Sequence, residues 1–194
     1  MNNKQPIFTE ANQKNIWQKI DEIALVLMRF DRDYDPFLMY GEAGIQLFLF
    51  HRCFELDDEE CYAKVTDKYF QKIDNIHKKI LYINDPQECN ACLADGLGGI
   101  GWMLDYMIRY PMIEADLFDV MGSVDPKIFR RMVYDIQEDR YDLRQGAAGI
   151  ALYCVNRNER FPREYLNRFI AELYKRMTLG KLNNIQDYSI PSGL

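Results

Sequence analysis

The sequence predicts an all-α protein built from helical hairpins. Amphipathic segments, whose apolar residues recur every three or four positions, alternate with segments that are apolar nearly all round, and no segment shows the strict alternation of a half-buried strand. Each apolar segment follows a Gly-x-x-Gly-Ile motif, and the three motifs begin at Gly41, Gly96 and Gly146, which are 55 and 50 residues apart. Such spacing is typical of repeat proteins, whose units bury their apolar faces by stacking on one another.

The first two hairpins follow from this alternation. Residues 12–30 and 58–81 carry apolar stripes at helical spacing and predict amphipathic helices of an outer layer. The motifs at Gly41 and Gly96 each begin an inner helix that should be buried on most sides, and Pro111 ends the second one. Glycine has no Cβ, so it allows a sharp turn into the helix and a close approach of neighbouring helix ends. The glycines with this structural role are Gly41, Gly44, Gly96, Gly99, Gly146 and Gly149.

A third hairpin and a further half complete the pattern. Asp125 as N-cap, followed by proline, predicts a shorter amphipathic helix, and the motif at Gly146 begins a third inner helix. Residues 162–177 predict one more amphipathic helix, ended by Gly180. Residues 181–194 have no helical period and form an irregular tail. We therefore expect residues 1–194 to be one domain of about three and a half hairpins.

Composition excludes several classes of partner. A net charge of −6 and a pI near 5.0, with acids and bases interleaved, argue against nucleic acid and against an anionic membrane surface. The polar N-terminus is not followed by a signal-peptide segment, and apolar runs stop short of the roughly 20 residues of a spanning helix, so we expect a cytoplasmic protein. Five scattered cysteines, an odd number, predict reduced thiols.

The glycine motifs carry a family resemblance. Residues 95–102 read Asp-Gly-Leu-Gly-Gly-Ile-Gly-Trp, and residues 141–150 end in Gly-Ala-Ala-Gly-Ile. Placed at the heads of inner helices, these motifs resemble the lanthionine synthetase C-like (LanC-like) family over residues 35–157. The resemblance implies an α/α toroid of seven hairpins, an inner ring within an outer ring. This chain would correspond to the N-terminal half of that toroid, an incomplete ring, either as a fragment of a longer protein or as a shortened paralogue.

The resemblance also implies an activity. Cyclases of the family are zinc enzymes that add a cysteine thiol of a precursor peptide to dehydrated serine or threonine, which forms a thioether (lanthionine) ring; the metal holds the thiol as the nucleophilic thiolate. The family's zinc is held by two cysteines and a histidine in Cys-Tyr-Gly and Cys-His-Gly motifs, and neither motif occurs in this sequence. We therefore expect no cofactor in this chain, zinc only in a complete family member, and no cyclase activity from the chain alone.

One catalytic candidate is carried over from the resemblance. Asp142 stands four residues ahead of Gly146, where the family's cyclases have an aspartate that points into the cavity near the zinc. In a complete toroid Asp142 would transfer a proton or orient the thiol. The equal alternative is that Asp142 caps the inner helix, as carboxylates often do.

The expected partners are a peptide substrate and either a second copy of the chain or the missing C-terminal half. A half ring leaves inner and outer helices unpaired at its two open edges, and such apolar patches bind partners. A metal-free scaffold that holds a peptide on the concave side of the toroid is the alternative function. A second alternative is an α/α-barrel glycoside hydrolase in which Asp95 and Asp142 face each other, although helix capping explains both residues more simply.

Two further motifs have weaker support. Cys89 and Cys92 have metal-ligand spacing, but no second cysteine pair accompanies them, so incidental thiols are the favoured interpretation. Gly96, Gly98 and Gly101 match a dinucleotide fingerprint. No strand precedes them, so we reject a nucleotide site.

Overall fold

A computed structural model describes residues 9–29, 35–39, 41–157 and 163–179. Within these ranges the chain is helical without a strand, which confirms the all-α prediction. No helix in the same ranges is both long and apolar enough to cross a bilayer. The helices are α1 (Glu10–Met28), α2 (Glu42–Leu56), α3 (Glu59–Leu81), α4 (Leu97–Arg109), α5 (Leu117–Met121), α6 (Asp125–Gln137), α7 (Ala147–Asn156) and α8 (Arg163–Thr178).

The three glycine motifs form three equivalent units, each a loop followed by a motif helix. Unit 1 comprises residues 35–39, Gly41 and α2; unit 2 comprises residues 90–96 and α4; unit 3 comprises residues 140–146 and α7. In each unit the first residue of the helix donates its N–H to the carbonyl of the residue seven positions earlier. The pairs are Glu42 to Asp35 at 2.8 Å, Leu97 to Asn90 at 3.0 Å and Ala147 to Arg140 at 2.9 Å. One local backbone geometry is thus repeated three times.

The first glycine of each motif is the N-cap of its helix and has extended backbone. A Cβ on Gly146 would lie 2.7 Å from the carbonyl oxygen of Arg140 and 2.7 Å from the amide nitrogen of Asp142. A Cβ on Gly41 would lie 2.1 Å from the carbonyl oxygen of Asp35. The loop therefore folds back so tightly onto the helix start that no side chain fits, as the sequence predicted.

Backbone hydrogen bonds connect the three loops side by side. The Met39 N–H donates to the Ala94 carbonyl at 2.8 Å, and the Ala94 N–H donates to the Arg144 carbonyl at 2.9 Å. These three residues occupy the same position of their loops. The loops therefore stack in register, with each N–H donated to the next unit along the chain.

The second glycine of a motif receives a leucine from the preceding unit. A Cβ on Gly99 would lie 2.9 Å from Leu38 Cβ, and a Cβ on Gly149 would lie 2.8 Å from Leu93 Cβ. Each leucine thus fills the space that a side chain on the next unit would need. This leucine-to-glycine contact, together with the loop hydrogen bonds, defines how one unit packs on the next.

The motif helices lie side by side, and the other helices pack against them. Helix α4 contacts both α2 and α7; α1 and α3 pack on α2, α5 packs on α4, and α6 and α8 pack on α7. Helix α4 has the most buried residues, among them Leu97, Ile100, Met103, Leu104 and Met107. The prediction that the motif helices are buried on most sides is confirmed for α4.

Two local expectations at α5 and α6 differ from the structure. The five-residue helix α5 was not predicted, because it is shorter than two turns and shows no periodicity. Asp125 is not the N-cap of α6; Val124 is, and Asp125 is the first helical residue. The Asp125 side chain is buried against α7 instead, as described below. Gly180 and the tail at residues 181–194 lie outside the described residues.

Candidate functional site

Asp142 lies in the loop of unit 3 with its side chain exposed. Its Oδ1 accepts hydrogen bonds from two backbone N–H groups, those of Arg144 at 3.0 Å and Gln145 at 2.7 Å. The carboxylate therefore closes the turn that leads into Gly146, whose own N–H donates to the Asp142 carbonyl at 3.1 Å. The second carboxylate oxygen, Oδ2, accepts no hydrogen bond from any residue that the structure describes. One oxygen thus has a structural role, and the other faces solvent.

Cys92 occupies in unit 2 the position that Asp142 occupies in unit 3. Its thiol is buried and donates to Asp95 Oδ1 at 2.7 Å, while the Asp95 N–H lies 3.5 Å from the sulfur. Burial, and then the hydrogen bond to the Asp95 carboxylate, raise the pKa of Cys92 to about 12. The Asp95 carboxylate therefore accepts a hydrogen bond from a neighbouring thiol.

We expect Cys92 to resist alkylation in the folded protein. With its pKa raised to about 12, almost none of the nucleophilic thiolate is present near neutral pH. Native protein treated with iodoacetamide and analysed by peptide mass spectrometry should carry no label at Cys92 until it is unfolded. In the Asp95→Asn variant the thiol loses its charged acceptor, its pKa falls, and labelling should be faster than in the parent. Rapid labelling of the native parent would contradict the buried thiol–carboxylate pair.

The other candidate ligand, Cys89, faces a different environment. Burial raises the pKa of its thiol, with Arg131 and Lys127 acting in the opposite direction. Arg131 Nη1 donates to the carbonyl oxygen of Cys89 at 3.0 Å and also to those of Pro86 and Gln87, which anchors this loop to α6. Among the residues that the structure describes, no three His, Cys, Asp or Glu side chains are grouped as metal ligands. Arg131 thus binds the backbone of Cys89, whereas Asp95 binds the thiol of Cys92.

Equivalent positions on the motif helices form a partly exposed strip that was not predicted. Six positions after the first glycine stand Leu47, Trp102 and Leu152, and ten positions after it stand His51, Tyr106 and Asn156. His51 Nε2 lies 3.1 Å from Tyr106 Oη, across the contact between α2 and α4. The Trp102 and Tyr106 rings are stacked with their centroids 5.9 Å apart. Aligning the three units on their glycines would have revealed this strip, because its members share the same offset.

A buried charged cluster joins α6 to α7. Asp125 Oδ1 accepts from Tyr153 Oη at 2.6 Å, and Oδ2 accepts from Arg157 Nε at 3.0 Å and from a second guanidinium nitrogen. The Tyr153 ring also covers Gly101 on α4, where a Cβ would lie 2.4 Å from a ring carbon. All three charged or polar side chains are buried. The cluster therefore connects α4, α6 and α7 and has a structural role.

Cys53 and Cys61 form a disulfide, with their Cα atoms 6.0 Å apart. The expectation that all five cysteines are reduced is therefore wrong for this pair; Cys89, Cys92 and Cys154 are free. The pairing depends on the tight turn between α2 and α3, where Asp57 has a left-handed backbone with φ of 54°. The number of cysteines in the sequence does not reveal such a turn. Disulfides are rare in reducing compartments, so this pair and the expected cytoplasmic location are in tension.

Comparison with protein families matches the description "Lanthionine synthetase C-like protein" to residues 32–190. The match covers most of the chain and includes all three units. The chain belongs to the lanthionine synthetase C-like family. The resemblance that the glycine motifs carry is thereby confirmed. The comparison with curated proteins gave no match, and neither did the comparison with solved structures.

LanC-like membership raises the question whether the described residues fit a zinc ion. The Cys92 thiol donates a hydrogen bond to the Asp95 carboxylate, and Cys154 is buried with its pKa raised by desolvation and by the nearby Asp125 charge. Both environments favour the protonated thiol, whereas a zinc ligand must be a thiolate. The residues that the structure describes therefore do not fit the family's metal.

Proposed function

We propose that this LanC-like chain forms part of an α/α toroid that binds a cysteine-containing peptide for thioether cyclisation, and that the chain alone is inactive. Three stacked units with motif helices side by side support a ring, because each added unit repeats the same packing on its neighbour. Family membership supports the peptide chemistry. The zinc of a complete toroid would come from residues other than those described here, so no step of the reaction is assigned to the metal.

The strip on the motif helices is the proposed peptide-binding surface. Trp102, Tyr106 and His51 are all partly exposed, so each presents a ring face or a polar atom to a ligand. The stacked rings offer an apolar surface with hydroxyl and imidazole groups at its edge, a combination that is common where proteins bind peptides. Leu152 extends the surface onto α7.

Asp142 is the proposed proton-handling residue, and its exposed Oδ2 is the observation that carries this assignment. Because the N–H groups of Arg144 and Gln145 hold Oδ1, the carboxylate has a fixed orientation without using its second oxygen. Oδ2 would accept the proton of the peptide thiol, or return a proton to the enolate carbon after addition. The two hydrogen bonds to Oδ1 thus orient the Asp142 carboxylate, and Oδ2 transfers the proton.

Two substitutions at Asp142 separate the catalytic role from the turn-closing role. Asp142→Asn keeps an Oδ1 acceptor for both N–H groups but removes the base, whereas Asp142→Ala removes both functions. In the complete gene product with a dehydrated, cysteine-containing peptide, we expect Asp142→Asn to lower the cyclisation rate by about 10²-fold or more without lowering the melting temperature. Asp142→Ala should lower both, with a loss of about 1 kcal/mol for the missing hydrogen bonds to the turn. Ring formation is read as the loss of alkylatable thiol by mass spectrometry.

The outcome that would remove the catalytic role is an Asp142→Asn variant that cyclises at the parental rate. Asp119→Asn is the matched control, since Asp119 is an exposed carboxylate on α5, and its replacement should leave the cyclisation rate unchanged. The chain of residues 1–194, tested alone on the same peptide, should form no thioether. Thioether formation by that chain would contradict the proposal that it is inactive alone.

A metal-free peptide-binding scaffold is the second candidate function, and the exposed Trp102–Tyr106 strip supports it without any metal. Under both candidate functions the strip on the motif helices binds a peptide. They differ in the metal content of the complete gene product, which should be near one zinc per ring for a cyclase and none for a scaffold.

A further inference from the structure

Helix α4 keeps an aromatic face partly exposed although it lies inside the stack of units. It contacts both α2 and α7, the motif helices of the units before and after it, and α5 packs on it as well. Trp102 and Tyr106 are nonetheless partly exposed, and Tyr110, the C-cap of α4, is 57% exposed. The exposure of these rings therefore does not arise from a missing neighbour along the stack.

The three rings form a continuous ladder along α4. They stand at every fourth position, 102, 106 and 110, and so share one side of the helix. The ring centroids are 5.9 Å apart between Trp102 and Tyr106 and 4.5 Å apart between Tyr106 and Tyr110. His51 of α2 borders the ladder, with its ring centroid 5.7 Å from that of Tyr106. The ladder is thus a surface of ring faces and edges.

Helix α4 offers the ladder no unpaired carboxylate that could select a basic side chain. Asp105 is the one acidic residue of α4, and it is buried and ion-paired with Arg109 of the same helix. A row of rings whose nearest carboxylate on the helix is already paired favours an uncharged occupant. Aromatic rings pair with one another in offset-stacked or edge-to-face arrangements, so an aromatic side chain is the occupant that fits this surface.

The ladder lies at a defined distance from Asp142 along the helix axis. Trp102 and Tyr110 stand six and fourteen residues after Gly96, which at a rise of 1.5 Å per residue places them about 9 and 21 Å from the start of α4. The loops of units 2 and 3 are hydrogen-bonded side by side, so Asp142 lies near the loop end of α4. An extended peptide advances about 3.3 Å per residue, so about three to six residues span this distance.

We infer that the ladder of Trp102, Tyr106 and Tyr110 is a specificity subsite for an aromatic side chain of the peptide, about three to six residues from the cysteine at Asp142. The peptide runs in extended form from the motif loops along α4 and places its aromatic ring against the ladder. The inference rests on the proposed function, because it takes the peptide cysteine to lie at Asp142. It adds the class of side chain that the peptide carries and the position of that side chain relative to the cysteine.

Equilibrium tethering through a disulfide tests the subsite without any cyclisation step. Asp142→Cys in the chain of residues 1–194 supplies a thiol that exchanges with a peptide mixed disulfide of 2-mercaptoethanol, and mass spectrometry measures the tethered fraction. The peptides are rich in glycine and serine and carry one cysteine and one phenylalanine, whose spacing is varied. We expect the tethered fraction to peak at a spacing of about three to six residues, roughly threefold to tenfold above a peptide with alanine in place of phenylalanine.

Three further substitutions in the tethering chain make the test specific to the ladder. Trp102→Leu should lower the peak by about threefold or more, and leucine fits the fold because it stands at the equivalent position of units 1 and 3 (Leu47, Leu152). Tyr106→Phe keeps the ring and should keep the peak. Tyr82→Ala is the matched control, since Tyr82 is a tyrosine that is 86% exposed and follows α3, outside the motif helices. Its replacement should leave the peak unchanged.

A tethered fraction that is equal at every spacing would overturn the inference. So would a peak that survives Trp102→Leu in a chain that circular dichroism shows to be folded, or an equal peak for a peptide with lysine in place of phenylalanine. The chain with Asp142 intact measures the background from the other cysteines. The proposed function fails by a different result, an Asp142→Asn variant that cyclises at the parental rate, and that result would leave the spacing dependence of tethering in place.

Discussion

Asp125→Ala is expected to lower the free energy of unfolding by about 3–5 kcal/mol. The carboxylate is the shared partner of the Arg157 guanidinium and the Tyr153 hydroxyl, and all three groups are buried. Without it a buried positive charge has lost its counter-ion, and desolvation is no longer compensated. Chemical denaturation followed by circular dichroism measures the loss.

Two comparisons make this prediction specific to the buried pair. The double variant Asp125→Ala/Arg157→Met removes both charges and should be more stable than Asp125→Ala alone, because the cost comes from the unpaired guanidinium. Lys64→Ala breaks the exposed Lys64–Glu60 pair on α3 and should change stability by no more than about 0.5 kcal/mol. A double variant less stable than Asp125→Ala would show that the charged cluster does not account for the loss.

Gly149→Ala is expected to destabilise the chain by about 3 kcal/mol or more, although alanine is the better helix former. The new Cβ would lie 2.1 Å from the Leu143 carbonyl oxygen and 2.8 Å from Leu93 Cβ. The carbonyl belongs to the loop of unit 3, and Leu93 belongs to unit 2. Either the loop must open or the two units must separate, so the melting temperature should fall by about 10 °C in a thermal scan.

Gly44→Ala is the matched control, because Gly44 has the same place in unit 1 without a preceding unit against it. Among the residues that the structure describes, its new Cβ would meet one atom, the Leu38 carbonyl oxygen, at 2.9 Å. We expect Gly44→Ala to cost clearly less than Gly149→Ala. Equal losses in the two variants would mean that the packing of one unit on the next contributes little to stability.

Features that depend on residues close in sequence could be predicted. The segments at residues 12–30 and 58–81 became α1 and α3 with bounds within two residues, because a buried stripe at helical spacing is a strong local signal. The glycines were correctly assigned to close approach, since few other reasons explain glycine at the head of three apolar helices. Asp142, by contrast, was offered as a cap of the inner helix, whereas Gly146 is the N-cap and Asp142 Oδ1 accepts from Arg144 and Gln145 in the turn before the helix.

Features that depend on distant partners could not be predicted. Asp125 preceding a proline is typical of an N-cap, but its side chain instead bonds to residues 28 and 32 positions away, which no local pattern indicates. The Cys53–Cys61 disulfide depends on a left-handed turn at Asp57. The contact of His51 with Tyr106 requires knowing that α2 and α4 are neighbours.

The most direct test of the account is the hydrogen exchange rate of the Met39 amide, measured residue by residue by NMR. The three glycine loops stack in register, and the hydrogen bond from the Met39 N–H to the Ala94 carbonyl is the first link of that stack. Met39 lies outside any helix with its side chain half exposed, so nothing else predicts slow exchange. We expect the Met39 and Ala94 amides to exchange as slowly as the amides of α4. Exchange of the Met39 amide at the rate of an unstructured peptide would contradict it.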